Sequence, residues 1–256
     1  MPFQKIDAAK LSASVVQQVE LLILRGILRP GERLPSERDL SERMGVSRPS
    51  VREAVATLSD KGLLETRAGA GIYVADVLGS AFSPALIQLF GAHDEAVFDY
   101  IAFRRDMEGL AAERAAKYAS DTDLRVIQTI FDKMEAAHPK RNPADEARLD
   151  AEFHLSIIEA SHNVVMLHMM RSMFDLLREG VFYNRSVMFK QRTNRAQLLD
   201  QHREINVALQ ARDPNAARAA VTHHLDYVEE ALNDQQRFER NEEIAKLRFD
   251  HEQERH

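Results

Sequence analysis

The chain has no cysteine among its 256 residues. A disulfide framework, a thiolate nucleophile and any Cys-ligated zinc or iron–sulfur site are therefore excluded, and the composition suits a reducing compartment. A bound metal would have to use histidine and carboxylate. No apolar run approaches the roughly 18 residues that a membrane-spanning helix needs, and the opening MPFQKIDAAK lacks the basic-then-apolar pattern of a secretory signal. A cytoplasmic protein with no membrane contact is expected. A strong charge excess is missing too. The formal net charge is −6, with eleven basic against ten acidic residues up to residue 77 and 23 against 30 beyond it. Charge alone thus announces no nucleic-acid partner, and the acidic remainder argues against non-specific DNA binding. At 45% hydrophobic and 29% charged the chain falls in the globular range, which rules out disordered and collagen-like classes, and its length allows two cores.

Glycine is scarce after the first third. Six of the ten glycines lie between Gly26 and Gly71, and after Gly91 only Gly109 and Gly180 remain. From there on the chain becomes a series of apolar stripes at helical spacing, rich in Ala, Leu, Glu and Arg. The pattern predicts a mainly α protein: a small mixed unit followed by a helical bundle, with the boundary near Asp76–Ser83. The expected division is a DNA-binding unit over 1–77, a linker over 78–93, a helical domain over 94–235 and a charged tail over 236–256.

In the first unit Ser12 is placed to cap a helix carrying Val15, Val16, Val19, Leu22 and Ile23, and Arg29-Pro30-Gly31 turns the chain after it. Ser36 with Asp39 three residues on resembles a capping box, opening a short helix that stops at Gly45. Ser47 is the expected N-cap of the next helix, with Pro49 in its first turn and Val51, Ala54, Val55 and Leu58 on its inner face, ending at Gly62. Leu63–Arg67 and Ile72–Val74 flank Ala68-Gly69-Ala70-Gly71 as a β-hairpin. Three helices and a hairpin make a winged helix-turn-helix.

In such a motif the second helix of the turn enters the major groove and its N-terminal residues meet the base edges. Ser47, Arg48 and Arg52 occupy that end, Arg48 and Arg52 lying four apart on one face. Arg38, opening the preceding helix, is placed for a phosphate, and Gly69 and Gly71 would let the hairpin approach the minor groove closely. Any one of these arginines could instead form a solvated ion pair with Glu37, Glu42 or Glu53. The run PGERLPSERDLSERMGVSRPSVREAVATLSDKGLLETRAGAGIYV resembles the DNA-binding domain of the GntR family of bacterial transcription regulators. That resemblance implies DNA contacts at Arg38, Ser47, Arg48, Arg52 and Gly69.

Residues 94–235 read as about six helical stretches, several with polar groups on their apolar stripes. Asp150 and His154 share a face with Phe153, Ile157 and Ile158. His202 lies on the stripe of Leu198, Leu199, Ile205 and Leu209, and His224 on that of Ala217, Ala220, Val221, Leu225 and Val228. His223 points about 100° away by helical geometry. A buried Asp has to be paired or coordinated, so three inward imidazoles around it make a divalent metal the economical reading. One carboxylate and three imidazoles suit Zn2+ first, with Ni2+, Mn2+ or Fe2+ as alternatives. The other histidines read as surface or structural.

This part of the chain resembles the all-helical, six- to seven-helix effector-binding domain of the FadR-type branch of the family. The resemblance implies a metal at Asp150, His154, His202 and His224, a small carboxylate effector coordinating it, a homodimer, and control of a palindromic operator by repression. Arg104 matches the branch's arginine at the start of its first long domain helix. It shares a face with Val97, Ile101 and Glu108, so it is a buried cation, either held by Glu108 or aimed at the effector carboxylate. The segments LSASVVQQVELLILRGILRPGE, VSRPSVREA and EASHNVVMLHMMRSM are most similar to pyruvate-responsive members. FHLSIIEASHNVV and MFDLLREGVFYNRSVMF resemble L-lactate-responsive ones. The resemblance favours pyruvate as the effector, and the intact Asp-x3-His pair keeps a 2-hydroxy acid such as L-lactate or glycolate as the alternative. Two other readings of the polar interior are a metalloenzyme acting on small organic acids, which would lack an obvious general base, and a purely structural metal. The tail QQRFERNEEIAKLRFDHEQERH reads as a solvated helix extension, with a dimer contact through Ile244 and Leu247 as its alternative.

Overall fold

The computed structural model describes residues 8–76, 83–178 and 192–254. It divides into two compact units, residues 1–81 and 82–256. Most of the boundary expected at Asp76–Ser83, and residues 179–189 of the segment similar to lactate-responsive regulators, lie outside the described residues.

In the first unit, helix α1 (Ala8–Leu24) buries Val15, Val16, Val19 and Ile23 in a core shared with Val51, Ala54, Val55 and Leu58 of α3 (Arg48–Asp60). Ser12, expected as a cap, is instead inside α1 and buried at 4% exposure. It falls on the same face as Val16, Val19 and Ile23, and the residues before it already continue the helix back to Ala8. The expectation is better met in α2 (Glu37–Met44). There the Ser36 hydroxyl accepts from the Asp39 amide at 3.2 Å and donates to the Asp39 carboxylate at 2.8 Å. Gly45 ends α2 in the left-handed region at φ 65°, a conformation that costs a residue with a Cβ. Ser47 caps α3, with Pro49 in the first turn. Strands β1 (Leu64–Arg67) and β2 (Gly71–Val74) pair antiparallel with Leu64 opposite Val74 and Arg67 opposite Gly71, and Arg33 bridges to Tyr73. The inward Leu64, Ile72 and Val74 close the core of this winged helix-turn-helix.

The second unit is helical throughout its described residues. The stretch expected as linker, 78–93, holds helix α4 (Pro84–Ala92): the Ser83 hydroxyl accepts from the Leu86 amide and Pro84 suits the first turn. There follow α5 (Asp94–Tyr118), α6 (Asp121–Ala137), a short 3-10 turn (His138–Lys140), α7 (Pro143–Ala160), α8 (Val164–Arg178), α9 (Arg192–Gln210) and α10 (Pro214–Glu254). Small residues set the spacing. Ala111, Ala112, Ala115 and Ala116 of α5 are at most 1% exposed, and the absence of bulk lets α10 lie against that helix. Caps fix the register of the helices that follow: Ser120 and Asp123 form a reciprocal capping box for α6, and the Asn142 side chain caps α7 ahead of Pro143. One core cluster joins α5, α6, α7, α9 and α10 through Ile101, Ile127, Phe131, Phe153, Ile157, Ile205, Leu209, Val221 and Leu225. Helix α10 keeps its apolar stripe buried to Leu232, whereas from Arg237 to Gln253 every side chain is exposed. The charged tail therefore continues α10 as helix. No described helix is long and apolar enough to cross a membrane.

Candidate metal centre and nucleic-acid surface

Four side chains meet in the core of the helical unit. Asp150 and His154 come from α7, one turn apart on its inner face; His202 comes from α9 and His224 from α10. One potential ligand atom of each lies within 4.8 Å of all the others, and all four residues are buried. Asp150 Oδ1 is 3.0 Å from His202 Nε2 and 3.8 Å from His154 Nε2, and the two Nε2 atoms are 3.2 Å apart. Phe153 stacks edge-on to the His202 ring at 5.3 Å and supplies an apolar wall.

The partners of the other ring nitrogens decide the tautomers. His202 Nδ1 donates to the Leu198 carbonyl at 2.5 Å, His224 Nδ1 to the Gln201 side-chain oxygen at 3.0 Å, and His154 Nδ1 lies 2.7 Å from Glu108 Oε2. All three acceptors lack a proton to give, so each Nδ1 carries the hydrogen and each Nε2 presents its lone pair. Lone pairs of His154 and His202 facing each other at 3.2 Å, beside a carboxylate oxygen, repel unless a cation lies among them. This arrangement fits a divalent metal, and the Nδ1 hydrogen bonds of His202 and His224, with Glu108 Oε2 beside Nδ1 of His154, orient the imidazoles as metal ligands are oriented. Burial pushes the His154 and His224 imidazoles below their ordinary value, His224 well below, helped there by its imidazole neighbours. An imidazole that resists protonation keeps its lone pair for an ion.

Glu108 and Arg104 extend the site onto α5. Arg104 Nε donates to Glu108 Oε1 at 2.6 Å, and the two residues are 1% and 2% exposed. Of the two readings for Arg104, the ion pair with Glu108 is present. Burial raises the Glu108 pKa, but the Arg104 charge first, with the His154 imidazole beside it, outweighs that and brings it down to about 2. The contact between Glu108 and His154 escaped the sequence reading, although Glu108 and Arg104 share the inner face of α5. The buried pair of Arg195 and Glu146 was missed as well. Arg195 Nε donates to Glu146 Oε2 at 2.7 Å, a second bond joins its Nη2 to Oε1, and Nη2 also reaches the His138 carbonyl at 2.6 Å. Both residues line a small cavity bordered by His202. The signal was available: Glu146 is one turn before Asp150, and Arg195 lies two turns before His202.

On the winged unit the candidate DNA-reading residues lie at the solvent face. Arg48 is exposed. Arg38 pairs with Glu42 at 3.2 Å, and Arg52 with Glu37 at 3.0 Å, each arginine 70% exposed. Exposed pairs of this kind contribute little and give way readily to a phosphate or a base edge. The Ser47 hydroxyl is engaged as the α3 cap, accepting from the Ser50 amide at 3.3 Å and sharing a 2.9 Å bond with the Ser50 hydroxyl. Gly69 sits at the hairpin tip with φ 71° and open space where a Cβ would be.

Comparison with known proteins places both units. Residues 11–74 match the model described as bacterial regulatory proteins, gntR family, and residues 99–227 match the FCD domain. The chain is 33% identical over 223 residues to the Glc operon transcriptional activator of Escherichia coli K12, covering 86% of this chain and 88% of that protein. It is 33% identical over 251 residues to an L-lactate dehydrogenase operon regulatory protein of the same strain, covering 96% and 90%. Among solved structures, Streptococcus agalactiae GntR superposes with a TM-score of 0.52 at 25% identity, covering 86% of this chain and 99% of that one. The metalloenzyme reading of the polar interior gives way to these relatives, which are named as transcription regulators. A helix-turn-helix that presents arginines to solvent, joined in one chain to an FCD domain, makes this protein a member of the GntR family of DNA-binding transcription regulators.

Proposed function

We propose that the chain is a metabolite-responsive regulator whose helical domain senses a small 2-oxo or 2-hydroxy monocarboxylate at a metal centre and thereby changes operator affinity. The observation that carries the reading is the buried row of polar side chains that runs from Asp150 and the three imidazoles past Glu108 to Arg104 in the core of the helical unit. Asp150, His154, His202 and His224 would hold a divalent ion, Zn2+ first on ligand chemistry. When bound, the ion supplies a Lewis-acidic anchor for the adjacent oxygens of the acid. Arg104 supplies the cationic counterpart for its carboxylate. The relative named for an L-lactate dehydrogenase operon favours a 2-hydroxy acid over pyruvate. On the winged unit, Arg48 would read a base edge while Arg38 and Arg52 exchange their glutamates for phosphate, with Ser47 and Gly69 setting the approach. Two copies acting as a homodimer would engage the two halves of a palindromic operator.

The test uses the full chain and an operator selected from a random duplex pool. Affinity is measured with and without Zn2+, and with L-lactate, pyruvate, glycolate or acetate. Loss of operator affinity with one acid, only in the presence of the metal, is the expected result. Unchanged affinity across the whole panel, at concentrations that saturate the protein in a thermal-shift assay, overturns the switch.

A further inference from the structure

We propose that Glu108 is a positioning residue that couples Arg104 to His154, so that a carboxylate arriving at Arg104 strengthens His154 as a metal ligand. The inference rests on the sensing role proposed above and assigns it a route. One carboxylate faces two groups on opposite oxygens: Arg104 Nε donates to Oε1 at 2.6 Å, and His154 Nδ1 lies 2.7 Å from Oε2, an oxygen with no other partner among the described residues. All three side chains are 3% exposed or less, so no water screens the charges they share.

The electrostatics run in one direction. The Arg104 cation offsets the negative charge of Glu108. A second carboxylate bound to Arg104 takes up part of that compensation, leaving Glu108 more negative in effect at Oε2. Its pull on the Nδ1–H of His154 then strengthens, and electron density moves across the ring to Nε2, the atom that faces Asp150 and His202. A stronger acceptor behind a ligating histidine raises the basicity of that ligand. By reciprocity, filling the four-residue site has to favour the carboxylate at Arg104 by the same factor. The other two imidazoles have no such connection. His202 is held by the backbone carbonyl of Leu198 and His224 by the neutral amide of Gln201. Coupling through Glu108 is therefore specific to His154, whereas direct attachment of the acid to a shared metal ion acts on all three rings.

That difference gives the experiment. In the Zn2+-loaded wild-type protein, the Nδ1–H proton resonances of His154, His202 and His224 are followed by NMR while L-lactate, pyruvate, glycolate and acetate are added in turn. The expected result is a downfield shift of His154 clearly larger than those of His202 and His224. Equal movement of the three overturns the role of Glu108 and leaves the sensing role standing; no movement with any acid overturns both. A second arm uses Glu108→Gln, which keeps the shape but has one acceptor oxygen for two donors. Co2+ affinity, read from its visible absorption, is expected to fall about 10- to 100-fold, and its enhancement by the acid to shrink. In the metal-free variant His154 should lose its exclusive Nδ1–H tautomer. Wild-type Co2+ affinity, enhancement and tautomer in the variant sink the proposal. A residue that merely braced the fold would lower the melting temperature in chelator without shifting the tautomer.

Discussion

Asp150 and His154 are the residues at which this protein's chemistry is most exposed to a single change. Removing the Asp150 carboxylate by Asp150→Ala leaves three lone pairs converging on a site without its anion. Metal affinity and any metal-dependent response to carboxylates are expected to fall together, with metal content after dialysis as the check. Unchanged content would remove Asp150 from the ligand set. Acid acts on the same centre by a different path. Burial holds His154 and His224 below their ordinary value of 6.5, so the unfolded chain binds more protons than the folded one as pH drops below that value. Stability of the metal-free protein is accordingly full above about pH 7 and declines from about 6.5 downward. Glu108 adds a loss that starts lower, because its pKa is lowered from 4.5 to about 2 and its share is lost between those values. Melting curves in chelator from pH 8 to 3 should begin to fall near pH 6.5, with the Glu108 loss added below about 4.5. The four site residues could be found in the sequence because a charged or polar residue on an apolar helical stripe is conspicuous. Glu108 as the partner of His154 could not be, because helix periodicity says which face a residue takes and nothing of which helix comes to meet it.

At the level of elements, local chemistry was legible wherever it is closed within a few residues. Ser36, Asp39 and Gly45 bound α2, and Ser47 with Pro49 opens α3, as the sequence indicates, because caps and left-handed stops depend on neighbours in the chain. Ser12 misled for the converse reason: a serine can sit inside a helix when its face is buried, and that depends on α3. The run over 78–93 hid α4 since Gly79 and Pro84 suggest a linker, yet a proline after Ser83 starts a helix. Two measurements separate the roles of the reading helix. Arg48→Ala should cost roughly 1–3 kcal/mol of specific binding if it meets a base. Arg52→Ala should weaken all sequences alike and reduce the salt slope by about one. The same loss on every sequence for Arg48→Ala would make it a phosphate contact. Leu58→Ala, at a fully buried position of α3, should cost about 2–5 kcal/mol in denaturant unfolding. A much smaller cost would mean that the winged core relaxes to fill the space.

For the whole molecule, the two-unit division follows from the change in glycine content and periodicity, but no periodic pattern tells how far a helix continues once it has left the core. Helix α10 shows this: its stripe ends at Leu232 and its backbone continues to Glu254. Deleting residues 236–256 is expected to leave the melting temperature and Zn2+ affinity of the remaining chain unchanged, since every side chain from Arg237 to Gln253 is exposed. A drop of several degrees would show that the extension packs on another copy. The same continuity makes α10 a lever. His224 lies near its anchored end and about 30 residues separate it from the tip, a length of about 45 Å at 1.5 Å per residue. A tilt of about 5° at the imidazole cluster moves that tip by about 4 Å over such an arm. A probe near Phe249 would thus register as a measurable displacement a rotation at His224 too small to resolve where it starts.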